Sequence, residues 1–239
     1  MQGMPLRRRT TAAVLAAVAL SAALVAGCSK SSNQGSNQSL PDASTLLKQS
    51  AQTTRDVKSA HLELTVQGKI EHLALKTLSA DLTNAPAVAA KGHTKVTMGG
   101  DDVEADFVVL DGTLYASLDP STWSNFGPAS TVYDVSLILN PDVGVANILS
   151  NVTDPKAVGR EAINGVQAVK ITGQVSADAV DKVAPKIATT ANVPTTAWIQ
   201  EDGNHELVQI TLEPSSGNRI QMTLSKWNEP VSIEKPPGV

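Results

Sequence analysis

The sequence predicts an α+β fold, in which an antiparallel sheet carries helices on its apolar face. Three observations predict it. Apolar and polar residues alternate strictly in about nine or ten short segments, the period of a half-buried strand. Turn signals separate these segments, so neighbours in sequence pair as hairpins. Helical patterns stand singly between groups of strands, not after every strand, which argues against a doubly wound parallel sheet.

From the start of the folded region, Leu40-Pro41-Asp42 opens a helix that Asp42 or Ser44 can cap, with Ala43, Leu46, Leu47, Ala51, Thr54 and Val57 at helical spacing. After Ser59 the period drops to two: Leu62, Leu64 and Val66 alternate with His61, Glu63 and Thr65. Leu78, Ala80 and Leu82 repeat the pattern, while Leu73 and Leu75 fall on the opposite parity, which predicts a bulge near Lys76-Thr77. Val88, Ala90, Thr94, Val96 and Met98 share one face of the next strand. After Gly99-Gly100-Asp101, Val103, Ala105, Phe107 and Val109 do the same, and Asp111-Gly112 turns the chain into Leu114–Leu118.

Between Asp119 and Asn151 alternation stops. A loop-rich stretch holding Trp123, Phe126 and Tyr133 is expected there, then short helices around Val135–Leu139 and Val143–Leu149. Strands resume at Ala157–Ile163 and pass through an Asn164-Gly165 hairpin turn into Val166–Val175. Ser176 caps a helix carrying Ala179, Val180 and Val183, which Pro185 limits. Thr195–Glu201, Leu207–Glu213 and Arg219–Trp227 are the closing strands.

The N-terminus sets the compartment. Arg7, Arg8 and Arg9 precede an apolar run from Ala12 to Ala26 broken only by Ser21, the make-up of a secretory signal peptide. That run is short for a membrane span, which needs roughly 20 residues. It ends in Leu24-Val25-Ala26-Gly27-Cys28, which looks like a bacterial lipobox. Small residues let a peptidase hold an extended backbone, and the Cys28 thiol can become a thioether to diacylglycerol. Cys28 is also the sole cysteine, so neither a disulfide nor a cysteine-based zinc site is available.

The expected organisation is therefore a signal peptide over 1–27, a lipidated cysteine and flexible tether over 28–40, and a single domain over 41–239. The tether, SKSSNQGSNQS, is polar and low in complexity. It averages about 19 Å end to end and reaches about 40 Å when stretched. Acylation would hold the domain at the outer, periplasmic side of the inner membrane, with the cell wall or secretion as further destinations. One chain anchors marginally; two or three anchor firmly.

Charge and motifs exclude several functions. Without the three leading arginines, 16 of the 19 Lys+Arg face 23 Asp+Glu, a net charge of about −7. Nucleic-acid binding normally needs the opposite sign. The four histidines, His61, His72, His93 and His205, form no metal-binding spacing. Asp101, Asp102, Glu104 and Asp106 lack the glycine and distal glutamate of a calcium loop; on a strand, the last three share the wet face. No nucleophile elbow, P-loop or dinucleotide fingerprint occurs, so neither an enzyme nor a cofactor is expected. Seven aromatics make the core mainly aliphatic.

Several blocks carry a resemblance: LVAGCS, KSAHLELTVQGKI, LKTLSADLT, DDVEADFVVLDGTLYASL, WSNFGPAS, YDVSLILNPDVGVANIL, GREAINGVQAVKITGQVSADAV, VPTTAWIQEDGNHELVQITLE and QMTLSKW. Over roughly residues 40–236, the chain resembles the LppX/LprA/LprF/LprG group of mycobacterial lipoproteins. The resemblance implies a strongly curved antiparallel sheet, a half-open barrel whose concave apolar face and helices enclose a lipid cavity. It implies a non-enzymatic, monomeric carrier of triacylated glycolipids, such as phosphatidylinositol mannosides and lipoarabinomannan, and of triacylglycerol. It also implies a major-facilitator transporter as partner and movement of lipid toward the outer envelope.

Parity places Leu62, Leu64, Val66, Leu82, Thr94, Val96, Met98, Phe107 and Val109 toward the helices as candidate lipid-binding residues. Leu137, Val145, Ile148, Leu149 and Val180 join them from the covering elements. The competing reading is a surface interaction lipoprotein, an adhesin or immune-receptor agonist, whose acyl anchor is its active feature. An extracytoplasmic enzyme is the third.

Overall fold

Eleven antiparallel strands hydrogen-bond into one sheet in a computed structural model that describes residues 39–119, 122–187 and 189–239. Cys28 and the signal segment lie outside the described residues. The first six strands are β1 (Ser59–Gln67), β2 (Leu75–Thr83), β3 (Ala89–Met98), β4 (Asp101–Leu110), β5 (Thr113–Asp119) and β6 (Thr122–Pro128). The other five are β7 (Val152–Ile163), β8 (Val166–Val175), β9 (Val193–Gln200), β10 (Leu207–Ser215) and β11 (Asn218–Ser225). The order is β6-β5-β4-β3-β2-β1-β11-β10-β9-β8-β7. It consists of two meanders fused where β1 pairs with β11, and β6 and β7 are left as the edges.

Register carries one apolar face across the sheet. Leu62 and Leu64 lie opposite Leu224 and Met222 on one side and Ala80 and Leu78 on the other. The row continues from Leu78 to Thr94 and Ala105, and from Ala80 to Gly92 and Phe107. A register shift between Leu75 and Thr77 marks the bulge that the change of parity predicts.

Three helices, α1 (Ala43–Arg55), α2 (Val145–Ser150) and α3 (Ala177–Val183), share one buried apolar cluster with that inner face. Asp42 caps α1 by accepting from the Thr45 amide at 2.8 Å, and Ser176 caps α3 through the Ala179 amide. α1 packs on α2 and touches β7 and β9, while the 3₁₀ turn Val135–Leu139 lies on β2 and β3. Since β6 and β7 are opposite edges, the segment between them must cross a face of the sheet. Buried Val135, Ile138, Val145 and Ile148 show that it crosses the inner one.

Two expectations need correction. Trp123 and Phe126 lie on strand β6, not in a loop. Its residues are mostly exposed, so an edge strand held by backbone pairing shows no apolar period. Likewise β7 begins at Val152 rather than Ala157. Pro155 disguises the earlier start, yet proline is tolerated on an edge strand, and the pairing with β8 slips at that point.

The chain does not end at β11. The Asn228 amide donates to the Ser59 carbonyl at 2.9 Å, and the Ser59 hydroxyl donates to the Glu229 carbonyl at 2.5 Å. Further on, the Lys235 ammonium lies 5.6 Å from the Tyr115 ring. The last residues thus strap the outer face from β1 to β5.

Candidate functional site

The inner face changes character along its length. Leu62, Leu82, Val145, Ile148 and Val180 have 0% of their surface exposed, and Leu64, Phe107, Val109 and Leu149 are also buried in the same cluster. Val66 is partly buried against it. Thr94 and Val96 are half-buried and Met98 is exposed, although all three share the parity of the inner face. Leu137 is half-buried and stands outside the cluster that takes in Val135, Ile138 and Leu139.

The exposed part of this face is mainly apolar, with Thr94 along it and Asp101 opposite Met98 at its end. Val103 lies opposite Val96, and Leu118, at a register shift with β6, follows by alternation from Leu114 and Ala116, which pair with Val109 and Phe107. Phe126 lies beside a register shift at the positive-φ Gly127; counted on from Asn125, the partner of Tyr115, alternation gives it the inner face. Met98, Leu118 and Phe126 are all more than half exposed, the reverse of what large apolar side chains usually do. Gly92, between buried Ala80 and Phe107, tolerates no side chain, because a Cβ there would sit 2.0 Å from the Ser79 carbonyl oxygen. Sequence reasoning missed Leu118 and Phe126. Parity marks the first; only the pairing of β6 marks the second.

Inside the cluster, the hydroxyls of Ser50 and Thr54 are buried on α1 with no hydrogen-bond partner. They are spaced one helical turn apart. At the start of the described residues, the Ser39 carbonyl accepts from the Arg160 guanidinium at 3.1 Å, which also holds Glu201 with two 2.6 Å hydrogen bonds.

The outer face is polar and carries a groove of ≈ 610 Å³ between β1–β4 and the C-terminal strap. His61 contacts Asp81 at 2.6 Å through Nδ1 and Glu63 at 2.9 Å through Nε2, and the Ser79 hydroxyl donates to Glu63 at 2.6 Å. Partial burial lowers the His61 pKa, but its two carboxylate partners outweigh that and hold it above the ordinary value. His93 Nδ1 lies 3.0 Å from Asp106, and Lys95 pairs with Glu104 at 2.8 Å. Asp102, Glu104 and Asp106 therefore sit on the outer face, as expected, with cross-strand partners on β3. Among the described residues no group of His, Cys, Asp or Glu is placed to hold a metal ion. No helix among them is long and apolar enough to cross a membrane.

The family model described as LppX_LprAFG lipoprotein matches residues 42–233. The lipoarabinomannan carrier protein LprG of Mycobacterium tuberculosis H37Rv is 53% identical over 233 residues, covering 98% of each chain. The protein of the same name from Mycolicibacterium smegmatis is 50% identical over 238 residues, covering 99% of each. Among solved structures, LprF from Mycobacterium bovis matches with a TM-score of 0.76 at 30% identity, covering 83% of this chain and 99% of its own. LppX from Mycobacterium tuberculosis matches with a TM-score of 0.64 at 32% identity, covering 82% of this chain and 100% of its own.

Proposed function

The chain belongs to the LppX_LprAFG lipoprotein family, and from that premise we propose that it is a membrane-anchored lipid carrier. Its cargo is the triacylated glycolipids, phosphatidylinositol mannosides and lipoarabinomannan among them, with triacylglycerol as a second class. Acylated Cys28 holds it at the periplasmic side of the inner membrane. It takes lipid from that membrane and hands it toward the outer envelope together with a major-facilitator transporter. The protein works as a monomer and performs no chemistry on its cargo.

One observation carries the reading: the apolar inner face runs from a sealed cluster under the helices to the exposed Met98, Leu118 and Phe126. A track of that kind takes flexible chains at one end without breaking the core at the other. The energetics agree with passive carriage. A 16-carbon chain in water is penalised by about 13 kcal/mol relative to hydrocarbon, at about 0.8 kcal/mol per CH₂. A protein surface as apolar as the bilayer makes the exchange nearly neutral, so cargo loads and unloads without an energy source. Longer chains reach deeper only if α1 and α2 part from the sheet, the half-barrel layer that would then curve around them. The unpartnered Ser50 and Thr54 hydroxyls on α1 lower the cost of that parting, since they forgo no hydrogen bond when exposed.

Mass spectrometry of organic extracts tests the proposal, using mature protein in which Cys28→Ser removes the protein's own acyl groups. Triacylated glycolipid or triacylglycerol is expected in about stoichiometric amount. A clean extract would favour a surface interaction protein whose anchor is the active feature.

A further inference from the structure

We propose that the outer groove binds the sugar chain of the cargo, a neutral and hydroxyl-rich oligosaccharide, while the acyl chains lie on the opposite face of the sheet. The inference rests on the carrier reading and adds a second, polar subsite to it.

The volume of ≈ 610 Å³ is in the range of small-ligand sites. Two cross-strand rows make the floor. His61, Asp81 and Lys91 stand opposite one another on β1, β2 and β3, and beside them Ser79, His93 and Asp106 do so on β2, β3 and β4. The wall is the strap from Glu229 to Ile233. Charge in the lining is nearly balanced: Asp81, Asp106 and Glu229 face Lys91 and Lys226 together with the two imidazoles. A strongly charged ligand of either sign therefore meets repulsion, whereas hydroxyl groups meet donors and acceptors in alternation. The floor side chains already orient each other through the His61–Asp81, Ser79–Glu63 and His93–Asp106 contacts, so little ordering remains to oppose binding.

Trp123 lines the groove and is half-buried there. Its indole offers the flat apolar surface on which the C–H face of a sugar ring packs, with an N–H for a hydroxyl. Its location links the two subsites. Ser124 pairs with Ala116 of the inner face and Trp123 lines the outer groove, while alternation from Asn125 gives the exposed Phe126 of the same strand the inner face. β6 is one of the two edge strands of the sheet. A sugar chain leaving the acyl site beside Phe126 has only this one strand to round before it meets Trp123.

The test uses mature protein with Cys28→Ser and a linear mannotetraose without acyl chains, read by saturation-transfer NMR, beside lipid recovery from extracts. Wild-type protein is expected to saturate the oligosaccharide. Trp123→Ala is expected to weaken that binding about tenfold, Trp123→Phe to retain much of it, and both to keep their acyl lipid and their melting temperature. Absence of saturation in wild type, for mannotetraose and for an arabinose oligosaccharide alike, overturns the proposal; so does binding that Trp123→Ala leaves unchanged. Lipid recovered beside a silent oligosaccharide rejects this subsite and leaves the carrier standing. A clean extract beside positive saturation does the opposite.

Discussion

Val96→Trp is expected to strip the protein of most of its co-purified lipid while leaving it folded. Val96 lies on the inner face between Leu75 and Val103, half-buried and outside the sealed cluster. An indole there has room to stand without displacing core side chains, so the overpacking cost of a buried insertion does not apply. It occupies the space that acyl chains would use. Moving even two CH₂ groups of one chain out of apolar contact costs about 1.6 kcal/mol, which is more than tenfold in affinity. Recovered lipid should fall about tenfold or more per mole, with a melting temperature within a few degrees of wild type. Thr94→Trp should act alike, since Thr94 is one step along the same face and spends its hydroxyl on the Thr77 carbonyl at 3.0 Å. Unchanged lipid from well-folded variants would remove both residues from the acyl path.

Leu62→Ala should behave the other way round. Leu62 has 0% of its surface exposed in the central strand β1, between Leu224 and Ala80. Truncation leaves a void that the surrounding strands cannot close, at a cost of about 2–5 kcal/mol. For a domain of this size that lowers the melting temperature by roughly 5–15 °C. Lipid per folded molecule should change little. The comparison is informative because a side chain on the wall of an open space has already lost contacts on one side. A cost below about 1 kcal/mol for Leu62→Ala would place Leu62 on such a wall and extend the acyl chamber under the helices.

Much of the fold is legible in the sequence, because most strands have one dry face. Parity alone aligns Leu62, Leu78 and Phe107 on it, and the conflict between Leu75 and Leu78 marks the bulge. The caps at Asp42 and Ser176 and the Asn164-Gly165 turn are local signals with local causes. What escapes is structure made without a dry face. β6 pairs through its backbone at an edge, and the C-terminal strap holds on through Asn228, Glu229 and Lys235 rather than through a ladder.

The candidate site shows the same boundary. Parity states which face a residue shares, and it puts Val109 and Met98 together. Whether that face is covered depends on where the Val135–Leu139 turn comes to rest, which is on β2 and β3. Val109, opposite the buried Ala90 at one end of β3, is 1% exposed, whereas Met98 at the other end of β3 is 58% exposed. Within that turn, a period near three brings Val135 and Ile138 inward and leaves Leu137 half-buried outside the cluster. The outer groove has no sequence signature, since its floor comes from four strands and its wall from the strap.

Cross-linking by a triacylated glycolipid with a photoreactive diazirine midway along an acyl chain puts the central claim to its most direct test. After irradiation of the loaded protein and peptide mapping, adducts are predicted on inner-face residues of β3–β6, at Val96, Met98, Leu118 and Phe126. Adducts gathered instead on outer-face residues such as Lys91 and Trp123, or spread evenly over the surface, would contradict it.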